Sequence, residues 1–167
     1  FSPVFGTLPG DFDGDGNLDA LMIGNSYATE VSTGRYDACI GLFFQGDSKG
    51  HFRSVPVQKS GFVADKDGKA LSKLILGDGT EMILEGNNND SLTVHRVSTS
   101  KKYFKAADDD SYALIKLKNG KIYRHEFYFG SSYLSQSSRS LELPIEILDF
   151  EVYIFLGKRK SSENDEG

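Results

Sequence analysis

One cysteine in the whole chain, Cys39, rules out an intramolecular disulfide, so the fold must be held by its core, by metal, or by both. Cys39 falls within the apolar run from Asp37 to Phe44 and is expected to behave as a small buried hydrophobe. Its isolation does not fix the compartment, because exported domains are also stabilised by metals and cores. Positive charge is in deficit as well. With 19 Lys and Arg against 24 Asp and Glu the net charge is -5, which argues against a nucleic-acid surface, since that needs a basic stripe. Only Lys158, Arg159 and Lys160 cluster, beside an acidic tail. Long hydrophobic runs are missing too, so neither a membrane span nor a signal peptide is visible. The sequence opens at Phe1, and the expectation is that a leader or a longer N-terminal region precedes it.

What is present points one way. A length of 167 residues and a hydrophobic content of 38% suffice for one ordinary domain or two small ones. The apolar runs are short: Ala20 to Ile23, Ala38 to Phe44, Leu74 to Leu76, Met82 to Leu84 and Leu92 to Val97. They are bounded by Gly, Asn and Asp, and none sustains a helical period over three turns. Such runs read as strands, and the chain is expected to be all-β.

The stretch Asp11, Phe12, Asp13, Gly14, Asp15, Gly16, Asn17, Leu18, Asp19 carries the clearest chemistry. Carboxylates at loop positions 1, 3, 5 and 9, with a glycine at position 6 for the sharp turn, wrap oxygen ligands around a hard divalent cation, Ca²⁺ above all. Without a cation, four such charges repel one another. The loop is not an EF-hand, because position 12 is Met22 rather than a bidentate Glu, and Gly24 and Asn25 soon end the following apolar run. A second, altered copy aligns Asp65 with Asp11 and Asp67 with Asp13, with Lys69 and Lys73 where Asp15 and Asp19 stood. Two ammonium groups there would replace a cation electrostatically. The alternative is a chance match between two polar turns.

From Gly10 to Val97 the chain resembles the FG-GAP or VCBS repeats of integrin-like β-propellers. The resemblance rests on Gly10 to Asn25, Gly34 to Ile40, the turn Gly46 to Gly50 followed by Phe52, and Asn87 to Leu92. It implies that the aspartate loop joins strands of one blade and binds calcium through Asp11, Asp13, Asp15 and Asp19, with Asn17 contributing its backbone carbonyl. A closed propeller needs four to eight blades. The fold expected for residues 1–97 is therefore propeller-blade-like antiparallel sheets of an incomplete propeller, partnered by upstream blades of the same protein.

Residues 98–110 are polar and read as a linker, with Asp108, Asp109 and Asp110 as a solvated turn rather than a metal site. Beyond it, Tyr112 to Leu117 and Ile122 to Phe129 form a hairpin through the Asn119-Gly120 signal, followed by strands over Ser140 to Ile145 and Leu148 to Leu156. Residues 111–157 are thus expected to form a small C-terminal sheet or sandwich, and 158–167 a disordered tail. Gly130 to Gln136 is dense in hydroxyls, and the span from Tyr112 to about Leu156 resembles the ASPIC/UnbV module, which follows VCBS-type repeats and carries a Gly-Ser-Tyr-Leu-Ser-Gln signature. This chain has one extra serine in it.

Ser135 or Ser137 with His125 and Glu126 would supply catalytic groups, yet His125 and Glu126 are strand neighbours that point to opposite faces, and no nucleophile elbow surrounds the serines. Tyr133 and Arg139 are the candidate ligand contacts of this loop. His51, His95 and His125 show no metal spacing and read as strand residues. The expected function is a non-enzymatic, calcium-binding module of a larger protein that is secreted or held at the cell envelope, acting in adhesion or in glycan or protein binding. The competing readings are an accessory domain of a secreted enzyme and a structural cap on a propeller.

Overall fold

The computed structural model describes residues 2–98, 101–131, 134–143, 147–155 and 157–159. Within them the chain is all-β, with one single-turn helix, α1 (Val57–Ser60). Residues 1–99 together with 130–138 form one compact unit, and residues 100–129 with 139–167 form another.

The first unit holds two antiparallel sheets. Strands β1 (Val4–Gly10), β2 (Asp19–Gly24), β3 (Leu42–Gly46) and β4 (Phe52–Val55) follow one another in a four-stranded meander. β5 (Gly68–Ile75), β6 (Glu81–Asn87) and β7 (Thr93–Arg96) make a three-stranded one. Period-2 alternation drives this arrangement. Leu21 and Ile23 of β2, Leu8 of β1, Phe43 of β3, Leu71 of β5 and Ile83 of β6 turn inward and are all buried, joined by Phe62 and Ala64 from the connection between the sheets. Gly6 and Gly68 let the layers close: a Cβ on either would lie 2.8 Å from a side-chain carbon of Ile23.

The second unit is built on β8 (Lys102–Lys105), β9 (Asp110–Leu117), β10 (Ile122–Glu126), β11 (Ser140–Leu143), β12 (Ile147–Ile154) and β13 (Gly157–Arg159). Their sheet orders are β10-β9-β12-β13 and β11-β8. The predicted hairpin forms, with Ile122 opposite Lys116 across the Asn-Gly turn, although its second strand ends at Glu126 rather than Phe129. Ala113, Ile115, Phe127, Leu141 and Val152 are its buried core, with Phe104 and Phe150 packed against them.

The fold departs from four of the sequence expectations. The polar stretch 98–110, expected as a linker, contains β8, whose Tyr103 and Phe104 pair with Glu142 and Leu141 of β11. Two apolar residues among lysines are too short a run to stand out from a linker by composition. Lys158 and Arg159, expected as the start of a disordered tail, instead pair with Tyr153 and Val152 in a strand; the rest of that expectation, residues 160–167, lies outside the described residues. Of the aligned second aspartate copy only Asp65 to Asp67 lie in a connection, and strand β5 takes over from Gly68, earlier than strand β2 follows the first loop. Finally, β3 starts only at Leu42, and Cys39, buried as expected, instead has its backbone N–H and carbonyl bonded by the Asn25 side chain.

The serine-rich segment has a structural role inside the first unit. β5 is an edge strand, and such an edge presents unpaired backbone groups. Residues 135–138 cover it. Lys73 N–H donates to Ser137 Oγ at 3.0 Å, Ile75 N–H to Ser138 Oγ at 3.1 Å, and Ser138 N–H to the Lys73 carbonyl at 2.7 Å. Ser135 Oγ donates to the Leu71 carbonyl at 2.7 Å.

Candidate metal centre

The aspartate loop closes the β1–β2 hairpin, whose last pair is Gly10 opposite Asp19. Two residues allow the tight path: Gly14 at φ 82° and Gly16 at φ 84°, values that suit glycine best. Backbone N–H groups then turn inward onto the carboxylates. Gly14 and Gly16 donate to the two oxygens of Asp11 at 2.7 and 3.1 Å, Asp15 to Asp13 Oδ1 at 3.1 Å, and Asn17 to Asp15 Oδ1 at 2.8 Å.

The result is that Asp11, Asp13 and Asp15 each offer a carboxylate oxygen within 4.8 Å of the others. Two oxygens that both lie about 2.4 Å from one Ca²⁺ are separated by no more than about 4.8 Å, so the spacing suits a single ion of that size. The donor set is entirely hard oxygen, which favours Ca²⁺ or Mg²⁺ over softer transition metals. Held this close without a cation, each pair of charges repels by about 1 to 4 kcal/mol, depending on how far water screens it.

Asp19, expected as the fourth carboxylate ligand, lies outside that group. It is fully buried at the base of the loop, where its oxygens accept from Phe12 N–H and Gly46 N–H, each at 2.9 Å. A buried carboxylate needs such donors, and meeting that need makes Asp19 the anchor between the loop and β3. Burial pushes its carboxyl up, the Gly46 and Phe12 hydrogen bonds pull it down, and the charges of Asp13 and Asp15 push it up again; the net direction is upward. Gly46 is required here, because a Cβ would come within 2.1 Å of the Leu18 carbonyl oxygen. Asn17 is half-buried in the same loop.

Sequence spacing missed the support from β3 and β4. Gln45 Nε2 donates to Asp13 Oδ2 at 2.6 Å, and Arg53 donates to Gln45 Oε1 at 2.8 Å, which fixes the way the amide points. Gln45 stands 32 positions from Asp13, and no local motif joins them.

Arg139 spends its guanidinium internally: it donates to the carbonyls of Ala107, Asp108, Asp110 and Phe127 and lies 3.9 Å from the centre of the Phe129 ring. That engagement fixes the arginine as a clamp of the second unit rather than an outward ligand contact. Tyr133 lies outside the described residues. Asp108 and Asp109 are exposed in a turn, whereas Asp110 is buried and accepts from Ala107 N–H at 2.7 Å. His51 pairs with Asp47 in an exposed turn, His95 with the buried Glu85 at 3.0 Å, and His125 packs edge-on against Phe127. Lys69, from the altered copy, lies 2.7 Å from Asp67 Oδ1 and 2.7 Å from the Asn25 carbonyl, so an ammonium neutralises that buried aspartate. No helix among the described residues is long and apolar enough to cross a membrane. In comparisons with known proteins, no family model matches the chain and no curated protein matches it.

Proposed function

We propose that this chain is a calcium-binding, non-enzymatic β module of a larger secreted or envelope protein, acting in adhesion or in binding a glycan or protein. The observation that carries the calcium reading is the convergence of Asp11, Asp13 and Asp15 within 4.8 Å on a hairpin loop whose base is anchored by the buried Asp19. Those three carboxylates, with the Asn17 carbonyl, would hold the ion, and Gln45 orients Asp13 toward its place in the set. Calcium in this setting is structural: it neutralises a self-repelling loop and so adds its binding free energy to folding. The four-stranded meander that carries the loop in its first hairpin supports the reading as a propeller-type blade, with upstream blades of the same protein as its natural neighbours.

Calorimetric titration of the chelator-treated protein with Ca²⁺ tests this directly. One site is expected, and calcium at a hundred times its Kd should stabilise the fold by about 2.7 kcal/mol. An Asp13→Asn, Asp15→Asn double variant should lose both the heat and the stabilisation. Absence of heat together with an unchanged melting temperature in the unaltered protein overturns the metal reading.

A further inference from the structure

On the face of the second unit's sheet opposite its core, the register places Arg124, Tyr112 and Tyr153 on three neighbouring strands. The two tyrosine rings are parallel within 5° with centroids 4.7 Å apart, and the Arg124 guanidinium lies 3.7 Å from the centre of the Tyr112 ring. Arg124 is held in turn by Glu126, and the Tyr153 hydroxyl by Glu151 at 2.9 Å. This is a pre-set stack: its members keep one another in place, so little side-chain freedom remains to be lost when something binds.

Both rings line an open cleft of about 440 Å³ completed by Ser111, Ile154, Phe155 and Gly157. Phe155 is 92% exposed, so its ring is open to a ligand at the edge of the cleft. The cleft lies at the small end of the range for ligand sites, and its lining mixes rings with hydroxyls. An apolar drug-like ligand would need deeper enclosure, and the net charge of -5 disfavours a nucleic acid. A pyranose ring suits it better, having a flat apolar C–H face for the aromatic rings and a hydroxyl rim for Ser111 and the tyrosine hydroxyls.

We propose that this cleft is a carbohydrate-binding subsite for one or two pyranose rings of a neutral glycan, with Phe155 and Tyr153 as the stacking residues. The inference rests on the binding-module reading above and locates its ligand. The test uses the full chain in calcium-containing buffer with a panel of neutral hexasaccharides (β-glucan, α-glucan, chitin and galactan types). Binding is followed by calorimetry and by tyrosine fluorescence, which is clean because the chain has no tryptophan. At least one sugar should bind, and Phe155→Ala should weaken it about tenfold with no change in melting temperature. Tyr128→Ala, at a residue 65% exposed but outside the cleft, should leave binding unchanged. A blank panel, or binding indifferent to Phe155→Ala, overturns the proposal. So does binding weakened only by Tyr128→Ala, and so does preference for an extended peptide over every sugar. Calcium titration of chelator-treated portions of the same proteins separates the two readings, since loss of the sugar site leaves the calcium heat intact and loss of the metal claim leaves the sugar result standing.

Discussion

Two buried aspartates in the first unit solve the same problem with different partners. Asp19 relies on backbone N–H groups, and Asp67 relies on an ammonium and an amide. For Asp67, burial pushes the carboxyl upward, but hydrogen bonds from Lys69 and Asn88 outweigh it and hold the group below its ordinary value of 3.8. A lowered carboxylate contributes stability that is present above pH 3.8 and is lost as pH falls through the folded-state value. Lys69→Met removes the partner and leaves the charge buried. We expect a loss of about 3 kcal/mol at pH 7, the low end for a broken buried pair because the lysine side chain is 25% exposed. Chemical denaturation at pH 7 and pH 4 checks it: the gap between variant and parent should narrow on acidification, and an equal gap at both values would count against the account. Asp19→Asn is expected to destabilise by about 1 to 3 kcal/mol even though it relieves repulsion, since an amide NH₂ would face either the Phe12 or the Gly46 N–H. Thermal melts of the calcium-free protein measure this.

At the scale of elements, the segment 135–138 shows hydroxyls doing the work of a strand. Ser137 and Ser138 accept from alternate N–H groups of β5, which is what a neighbouring strand's carbonyls would do. The composition of Ser135 to Ser138 signals a turn-rich loop, and nothing in it names β5 as its target, 63 or 64 residues away in the side-chain pairings. Replacing both Ser137 and Ser138 with alanine leaves two edge N–H groups without those acceptors. Amide exchange at Lys73 and Ile75 should quicken by about tenfold or more, with about 1 to 2 kcal/mol lost from the first unit. Unchanged protection at those two amides would refute the assignment. The exposed edge should also raise the tendency to aggregate. The hairpin β9–β10 is the opposite case, readable in advance because Asn-Gly fixes both turn and register within a few residues.

At the scale of the whole molecule, the two units have separate buried cores. Calcium bound at the β1–β2 loop should therefore stabilise the core that includes Leu8, Leu21 and Ile23 without acting on the one that includes Ala113, Ile115 and Val152. Amide exchange with and without Ca²⁺ reads this residue by residue. Slowing confined to the first unit is expected, and equal slowing in both would show that the two cores unfold as one. Leu71→Ala, at a fully buried position between the two sheets of the first unit, should cost about 2 to 5 kcal/mol and be felt in that unit alone.

By itself the sequence determined what depends on neighbours within a few residues. Alternating apolar runs specified strands, Asn119-Gly120 specified a hairpin, and the Asp11-Asp13-Asp15 spacing around Gly16 brought three carboxylates together. Tertiary structure decided everything that depends on partners distant in the chain. It drew Asp19 under the loop to meet Gly46, set Gln45 and Arg53 behind Asp13, turned Lys102–Lys105 into a strand by giving it β11, and engaged Arg139 with four backbone carbonyls. The physical reason is the same in each case. A polar group's role is fixed by whichever donor or acceptor it meets once water is excluded, and local spacing carries no record of that meeting.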